Sequence, residues 1–424
     1  MKLNATQQEM LEGKHGKSCK RAIELLIQMG EASNAEELIP VSFVHMMPPD
    51  IMFFPYGRPG KWAKDMTAEL LEDVKAFRVP VTLDPQFCSL SVAETLQFQP
   101  EEIEEIRTIQ LDAMKRYEAL GATPSYSALC FYYRPGKLGD HACIADSMPI
   151  LYYNTVYGLR TERDDGVKAL AAAITGYTPN SGVHLTENRY AEVVIRLGDD
   201  LDFSTFEDAD WDLFALAVSK LSKEKRPAIV GLPKLGLTEM KHFLSVLAVM
   251  AGLSLVHLVG QTPEAPTLEA ALMGHEPEAV YTLGRAEIEA AKKIANTTDD
   301  DKVDYVLMGC PHLTMKELKI LADTWRGKKL APGVKVVAVT TKELYEQARD
   351  IGYVDDIEGA GAQLTYQMCI AFAGTQIQNA AVLTNSGKAS YWYSSFGATE
   401  KHRTVRHAST RVCAESALTG KVAE

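Results

Sequence analysis

The sequence predicts a multi-lobed α/β protein whose mostly parallel sheets are flanked by helices. Three observations carry this. After residue 190, short apolar runs rich in β-branched residues alternate with helical stretches. The 424 residues, 46% hydrophobic and 24% charged, form an ordinary globular mixture long enough for two or three packed lobes. The seven cysteines are odd in number and none forms a CxxC pair, so a disulfide framework is not expected.

The first lobe opens with a helix near residues 17–31, where Ala22, Leu25, Leu26 and Met29 recur on one face. A buried strand, LIPVSFVHM, follows. A long helix then runs from Pro100, suited to a first helical turn, to Gly121 as its stop, with Ile103, Ile106, Leu111, Met114 and Tyr117 as its apolar stripe. The acidic cluster EEIEE in its first turns complements the positive helix end and is expected to be solvated. Beyond residue 190, YAEVVIRL, PAIVGL, SLVHLVG, AVYTL, VDYVLMG, KVVAVT and AAVLT read as strands of parallel sheets. Lobe boundaries are expected near residues 190 and 300, giving segments 1–190, 191–300 and 301–424.

A formal net charge of -12, with no Lys/Arg stripe interleaved with aromatics, excludes a general attraction to nucleic acid or anionic lipid. The opening residues lack the apolar core of a secretory signal and no apolar run reaches membrane-spanning length, so a cytoplasmic location is expected.

Ligands of parallel sheets gather at the carboxyl ends of strands, which singles out two segments. In VDYVLMGCPHLTMKEL, Cys310 and His312 lie between a strand and a helix whose start is marked by the capping-box pair Thr314 and Glu317. A helix N-terminus favours thiolate, so Cys310 suits metal binding or nucleophilic attack, or it is a small buried Cys in a turn. In AAVLTNSGKASYWY, Asn385, Ser386, Gly387 and Lys388 form a turn whose N–H groups and ammonium suit a carboxylate or phosphate, without the spacing of a nucleotide loop. The plain alternative is an ordinary Ser-Gly turn with a surface lysine. Cys130 and Cys369 sit in apolar runs and, taken singly, read as core residues.

Polar residues crowd the segment 139–165. Asp146 and Ser147 are candidate catalytic groups there, and Arg160 and Arg163 with Asn154 and Thr161 form either a carboxylate clamp or a salt-bridged helix end. His184 is either a pocket acid/base or a hydrogen-bonded loop histidine.

Taken together, these motifs resemble the large subunit of aconitase X, the family of cis-3-hydroxy-L-proline dehydratase and archaeal phosphomevalonate dehydratase. The resemblance covers nearly the whole chain: Glu9, Met10, Leu11, Gly13, Gly16, Ala22, Leu26 and Gly30 at the start, then VTLDP, then Asn154, Gly158, Arg160, Thr161 and Arg163. Gly176, Thr178, Pro179, Gly182 and His184 continue it, and GCPH at 309–312 and NSGKA at 385–389 complete it.

The resemblance implies aconitase-like lobes without the swivelling small domain, and an iron-sulfur cluster held by Cys130, Cys310 and Cys369. Its nuclearity is open, a single iron included. Three protein ligands leave one iron free to polarise a substrate hydroxyl and carboxylate. The family's proton-abstracting serine lies in a Gly-Ser-Ser type motif on the swivelling domain; that motif is not found here, so a small subunit carrying it is the expected partner. The substrate expected is a small anionic or amino-acid hydroxy acid, foremost cis-3-hydroxy-L-proline, with phosphomevalonate as the alternative. Asp146, Ser147, His184 and His312 are the catalytic candidates. Two readings from other classes are a cluster-bearing regulatory or RNA-binding protein, and metal-free catalysis by Cys310 with His312. The chain departs from the family pattern at Asp146-Ser147-Met148, where many relatives read Glu-Ser-Ser, and at Glu162, where they carry Asn. These changes bear on the substrate more than on the reaction class.

Overall fold

A computed structural model describes residues 1–52, 61–395 and 403–423. A short helix, Ala5–Leu11, precedes the expected one; the latter, Lys17–Ala32, buries Ala22, Ile23, Leu26 and Gly30, so its apolar face is centred slightly off the one expected from Leu25 and Met29. LIPVSFVHM is two strands and not one. Leu38–Pro40 pairs antiparallel with Tyr177–Pro179, whereas Val44–Met46 lies between Val81–Leu83 and Cys143–Ile144 in a parallel three-stranded sheet. Pro40 has no N–H to extend a ladder, consistent with the break. The long helix Pro100–Ala119 begins at the expected proline, and Glu102 Oε2 accepts from Gln99 N–H at 2.8 Å.

Two all-parallel sheets follow. In the four-stranded sheet the order is His257–Leu258, Pro227–Val230, Val193–Leu197, Ala279–Leu283. In the five-stranded sheet it is Gln363–Tyr366, Lys335–Thr340, Tyr305–Leu313, Ala381–Thr384, Thr404–His407. Thr404–His407 carries too few apolar residues to be read as a strand from sequence. Tyr305–Leu313, at the centre, is buried at every position.

That central strand corrects one expectation. It does not stop at Gly309 but continues through Cys310 to Leu313, with a register shift against Lys335–Thr340 between Met308 and Leu313. The next helix, Met315–Trp325, is capped by Thr314, so Cys310 is strand backbone four residues before that cap and gains little from the helix dipole.

Apolar cores join distant parts of the chain. One runs from Met10, Ile23 and Leu83 to Leu307, Val339 and Ile370; a second joins Leu129, Ile150 and Leu151 to the four-stranded sheet and its helices. Among the described residues, no helix is long and apolar enough to cross a membrane.

Candidate active site

The carboxyl ends of the three-stranded and five-stranded parallel sheets point at one another, and between them lies a cavity of about 610 Å³. Its wall takes Asp84 from the end of Val81–Leu83, Asp146 and Ser147 from the end of Cys143–Ile144, Cys310 and His312 from the central strand, and Lys388 from beyond Ala381–Thr384. The ends are tied directly: Gln86 N–H donates to Gln367 O at 2.9 Å and Cys369 N–H to Gln86 O at 2.8 Å. Strand carboxyl ends are where parallel sheets bind ligands, and this volume suits a small organic molecule.

Gly309 makes the sulfur wall possible. Its φ is +102°, and a Cβ there would lie 2.2 Å from Val339 O, so only glycine lets the strand pass its neighbour and present Cys310 to the cavity. The Cys310 carbonyl accepts from Ser386 Oγ. Cys369 precedes the short turn Ile370–Ala373 and lines the same wall. Burial raises both thiols above the ordinary thiol range; Cys310 adds to the rise at Cys369, and Lys388 opposes it at both. Two neighbouring thiols desolvated in this way become thiolates readily only beside a strong cation, which is the chemistry of a metal or iron-sulfur ligand pair. Cys130 is different: it is wholly buried, does not line the cavity, and sits against His45 and Tyr153.

The NSGK turn is not the open anion nest its sequence suggests, because the protein's own groups fill it. Gly387 N–H donates to Asp212 Oδ2 at 2.8 Å, Ser386 N–H to Thr384 Oγ1 at 3.3 Å, and Ala389 N–H to Ser386 Oγ at 3.0 Å. Asn385 donates to Thr410 Oγ1 at 2.9 Å and accepts from Gly309 N–H at 3.3 Å. Asn385, Ser386 and Gly387 therefore lock the turn to the central strand, and Lys388 alone of the four lines the cavity. Its Nζ is 3.0 Å from Ser147 Oγ and 3.7 Å from Asp146 Oδ1. Burial opposes its charge, but Asp146 and the thiols of Cys310 and Cys369 hold it above the usual lysine range.

His312 lines the cavity, yet both ring nitrogens are engaged: Nδ1 with Ser127 Oγ at 2.8 Å and Nε2 with Met368 O at 2.9 Å. Nε2 must carry the proton it gives to the carbonyl, leaving Nδ1 to accept from the serine. Burial pulls its pKa down to about 4. His312 is thus a neutral brace, and it has no free nitrogen with which to activate Cys310.

The expected clamp splits. Arg163 reaches the cavity, with Nη1 donating to Ala248 O at 2.8 Å, whereas Arg160 donates to His184 O at 3.0 Å and lies off the cavity wall. Asn154 and Thr161 are wholly buried and bond each other: Asn154 Nδ2 donates to Thr161 O at 2.7 Å, and its Oδ1 accepts from Arg189 Nη1 at 2.9 Å. Asn154→Ala is expected to cost about 1–3 kcal/mol by leaving these buried partners unpaired, read from denaturant unfolding. His184 also lies off the wall, its Nδ1 3.0 Å from that of His141, and burial holds its pKa well below the usual value. Of the departures from the family pattern, Asp146 lines the cavity, whereas Met148 and Glu162 face away from it. Met148 is packed in the core, and Glu162 accepts from Val183 N–H at 2.9 Å and Arg163 N–H at 2.8 Å beside a separate cavity of about 220 Å³.

Sequence reasoning missed two groups. One is His45 with Asp84 at the strand ends of the first sheet; a His in VHM and an Asp in VTLDP, each closing an apolar run, were the available signals. The other is a buried ionic network behind the cavity. Glu317 pairs with Lys241 at 2.8 Å and with His242 at 3.1 Å, and Asp212 with His242 at 3.2 Å and His407 at 2.9 Å. Lys241 Nζ also donates to Pro311 O at 3.2 Å and His312 O at 3.1 Å. The network thereby holds both the sulfur strand and the Gly387 turn.

Comparison with known proteins agrees with this geometry. Residues 1–187 match the aconitase X first domain, 191–293 the second and 303–419 the third. The phosphomevalonate dehydratase large subunit of Methanocaldococcus jannaschii is 29% identical over 93% of this chain and 96% of its own length. The cis-3-hydroxy-L-proline dehydratase of Pseudomonas aeruginosa is 27% identical over 99% of this chain and 70% of its own length. The crystal structure of Thermococcus kodakaraensis aconitase X in its holo-form superposes with a TM-score of 0.83 at 24% identity, covering 98% of this chain and 100% of that one. With all three domain models matched in order and the fold shared, the chain belongs to the aconitase X family of hydro-lyases.

Proposed function

We propose that this chain is the large subunit of an iron-sulfur-dependent dehydratase acting on a small hydroxy acid, cis-3-hydroxy-L-proline or a close relative. The observation that carries the reading is the meeting of Cys310 and Cys369 with Lys388 and Arg163 in one cavity of substrate size. Cys310 and Cys369 hold the iron-sulfur group, with Cys130 as the third ligand although it stands behind the wall. When bound, that group supplies a Lewis acid for the hydroxyl and carboxylate. Lys388 and Arg163 bind the substrate carboxylate.

The phosphomevalonate reading rests on the relatives of that name. The cavity favours the amino acid. Lys388 and Arg163 face the wall carboxyls of Asp84, Asp146 and Asp165, Asp164 is paired with Lys168 at 2.5 Å, and the N–H groups of Ser386 and Gly387 are already taken. A zwitterion meets such a wall at lower electrostatic cost than a molecule carrying both a phosphate and a carboxylate.

A small subunit carrying the catalytic serine supplies the base, in keeping with the large-subunit relatives. The test is anaerobic purification with and without a candidate small subunit, followed by visible absorption and dehydration assays on both substrates. Cys310→Ala and Cys369→Ala are expected to abolish colour and turnover, and Cys130→Ala to weaken the colour. A colourless wild type with full activity would overturn the cofactor reading, and robust turnover by the large chain alone the partner reading.

A further inference from the structure

Dehydration, the reaction read above and on which this inference rests, moves two protons: one leaves carbon, and one must reach the departing oxygen. The wall of the first sheet holds a group suited to the second task. Asp84 and Asp146 follow the two outer strands of the three-stranded sheet and His45 lies on the middle one, so the topology brings all three to one corner. One ligand atom of each lies within 4.8 Å of the others, and all three residues are buried. His45 Nε2 is 3.2 Å from Asp84 Oδ1, and its Nδ1 is 2.9 Å from Thr82 Oγ1, which orients the ring. Asp146 Oδ1 accepts from Ser147 Oγ at 3.5 Å and lies 3.7 Å from Lys388 Nζ. Both carboxyls line the cavity.

The groups facing this corner are the two carboxyls, the Lys388 ammonium, His45, and the sulfurs of Cys130, Cys310 and Cys369 that the functional reading gives to the iron-sulfur group. The two carboxyls lie within 4.8 Å of each other in a buried wall, where like charges resist ionising together, and one proton between them removes that repulsion. Burial first, and the Asp146 carboxylate second, hold Asp84 well above the usual carboxylate range, with Lys388 opposing.

We propose that Asp84 and Asp146 share one proton and that this carboxyl pair is the acid that protonates the departing hydroxyl of the substrate. As the C–O bond breaks, its electron pair goes to oxygen, and the shared proton moves to that oxygen to give water. The C–H electrons form the new double bond while their proton goes to the base of the partner subunit. The pair, left as two carboxylates steadied by Lys388, regains its proton from solvent as product leaves. His45 is a positioning residue that aims Asp84.

Infrared difference spectroscopy of the purified complex at neutral pH tests the shared proton without turnover. A carboxylic-acid band that shifts in D₂O is expected in the wild type and is lost in Asp84→Asn. In the dehydration assay, Asp84→Asn and Asp146→Asn are each expected to lower kcat by about 10²-fold or more with little change in KM, and to remove the alkaline limb of the pH profile. His45→Gln is expected to lower kcat less and to keep that limb. Asp146→Asn carries the test if Asp84→Asn does not fold. Absence of the band in the wild type, a divalent ion held stoichiometrically by the pair in its place, or kcat within a few-fold of wild type in either Asn variant would overturn the proposal. A wild-type complex that dehydrates neither substrate would instead sink the functional reading, and the infrared band would still decide the protonation.

Discussion

Glu317→Ala is expected to destabilise the chain by about 3–5 kcal/mol, because it strips the counter-charge from two buried cations at once. Glu317 is wholly inaccessible, and its carboxylate faces Lys241 at 2.8 Å and His242 at 3.1 Å, both of them buried. Burial opposes its charge, yet Lys241 and His242 hold its pKa down to about 2. The same partners act on His242: burial pulls it down, but Asp212 foremost raises it to about 10. These shifts set a pH window. His242, raised in the fold, contributes stability that is complete below its unfolded value near 6.5 and is lost as pH rises through about 10. Glu317, depressed in the fold, contributes stability complete above about 4.5 and lost as pH falls toward about 2. The gap between wild type and Glu317→Ala, measured by urea unfolding, is therefore expected to be widest near pH 5–6 and to narrow on either side. A gap that stayed flat from pH 5 to 10 would count against the charged network. Lys241 also holds the Pro311 and His312 carbonyls, so the variant is expected to loosen the sulfur wall.

Gly309→Ala is expected to cost about 3 kcal/mol or more, the sum of a left-handed backbone forced on an L side chain and a methyl driven against a neighbouring carbonyl. The φ of +102° and the 2.2 Å approach to Val339 O leave no flexible side chain to yield; the central strand itself must move. Cys310 follows at once and moves with it. Thermal unfolding and visible absorption should fall together in this variant. Gly327→Ala is the control for the backbone term, since Gly327 also has positive φ but nothing lies within 4 Å of an added Cβ. If the two variants lost equal stability, the close approach at Gly309 would carry no weight.

Much of the site was legible before any coordinates. Parallel sheets follow from apolar runs alternating with helices, and ligands of such sheets bind at the carboxyl ends of the strands. Cys310 and Lys388, named from their places after strands, and Cys369, named through the family resemblance, do share one cavity. The motif residues Asn154, Thr161 and His184 are equally recognisable in sequence, but they brace a loop and leave the cavity to others. Motif membership alone cannot separate these roles, because a buried polar residue satisfied by backbone carbonyls and one aimed at a ligand have the same side chain.

What the sequence determined by itself is the set of local conditions: apolar runs that form parallel strands between helices, and a cysteine and a lysine in the segments that close two of them. Tertiary structure alone decided which polar groups were spent on the protein. Asp212 takes Gly387 N–H across 175 residues, Ser127 and Met368 occupy His312, and Asp84 meets Asp146 only because their strands flank a third. The reason is physical. Hydrogen bonds and charges are satisfied by whichever partner the packing brings within about 3 Å, and partners so distant in sequence leave no periodic trace.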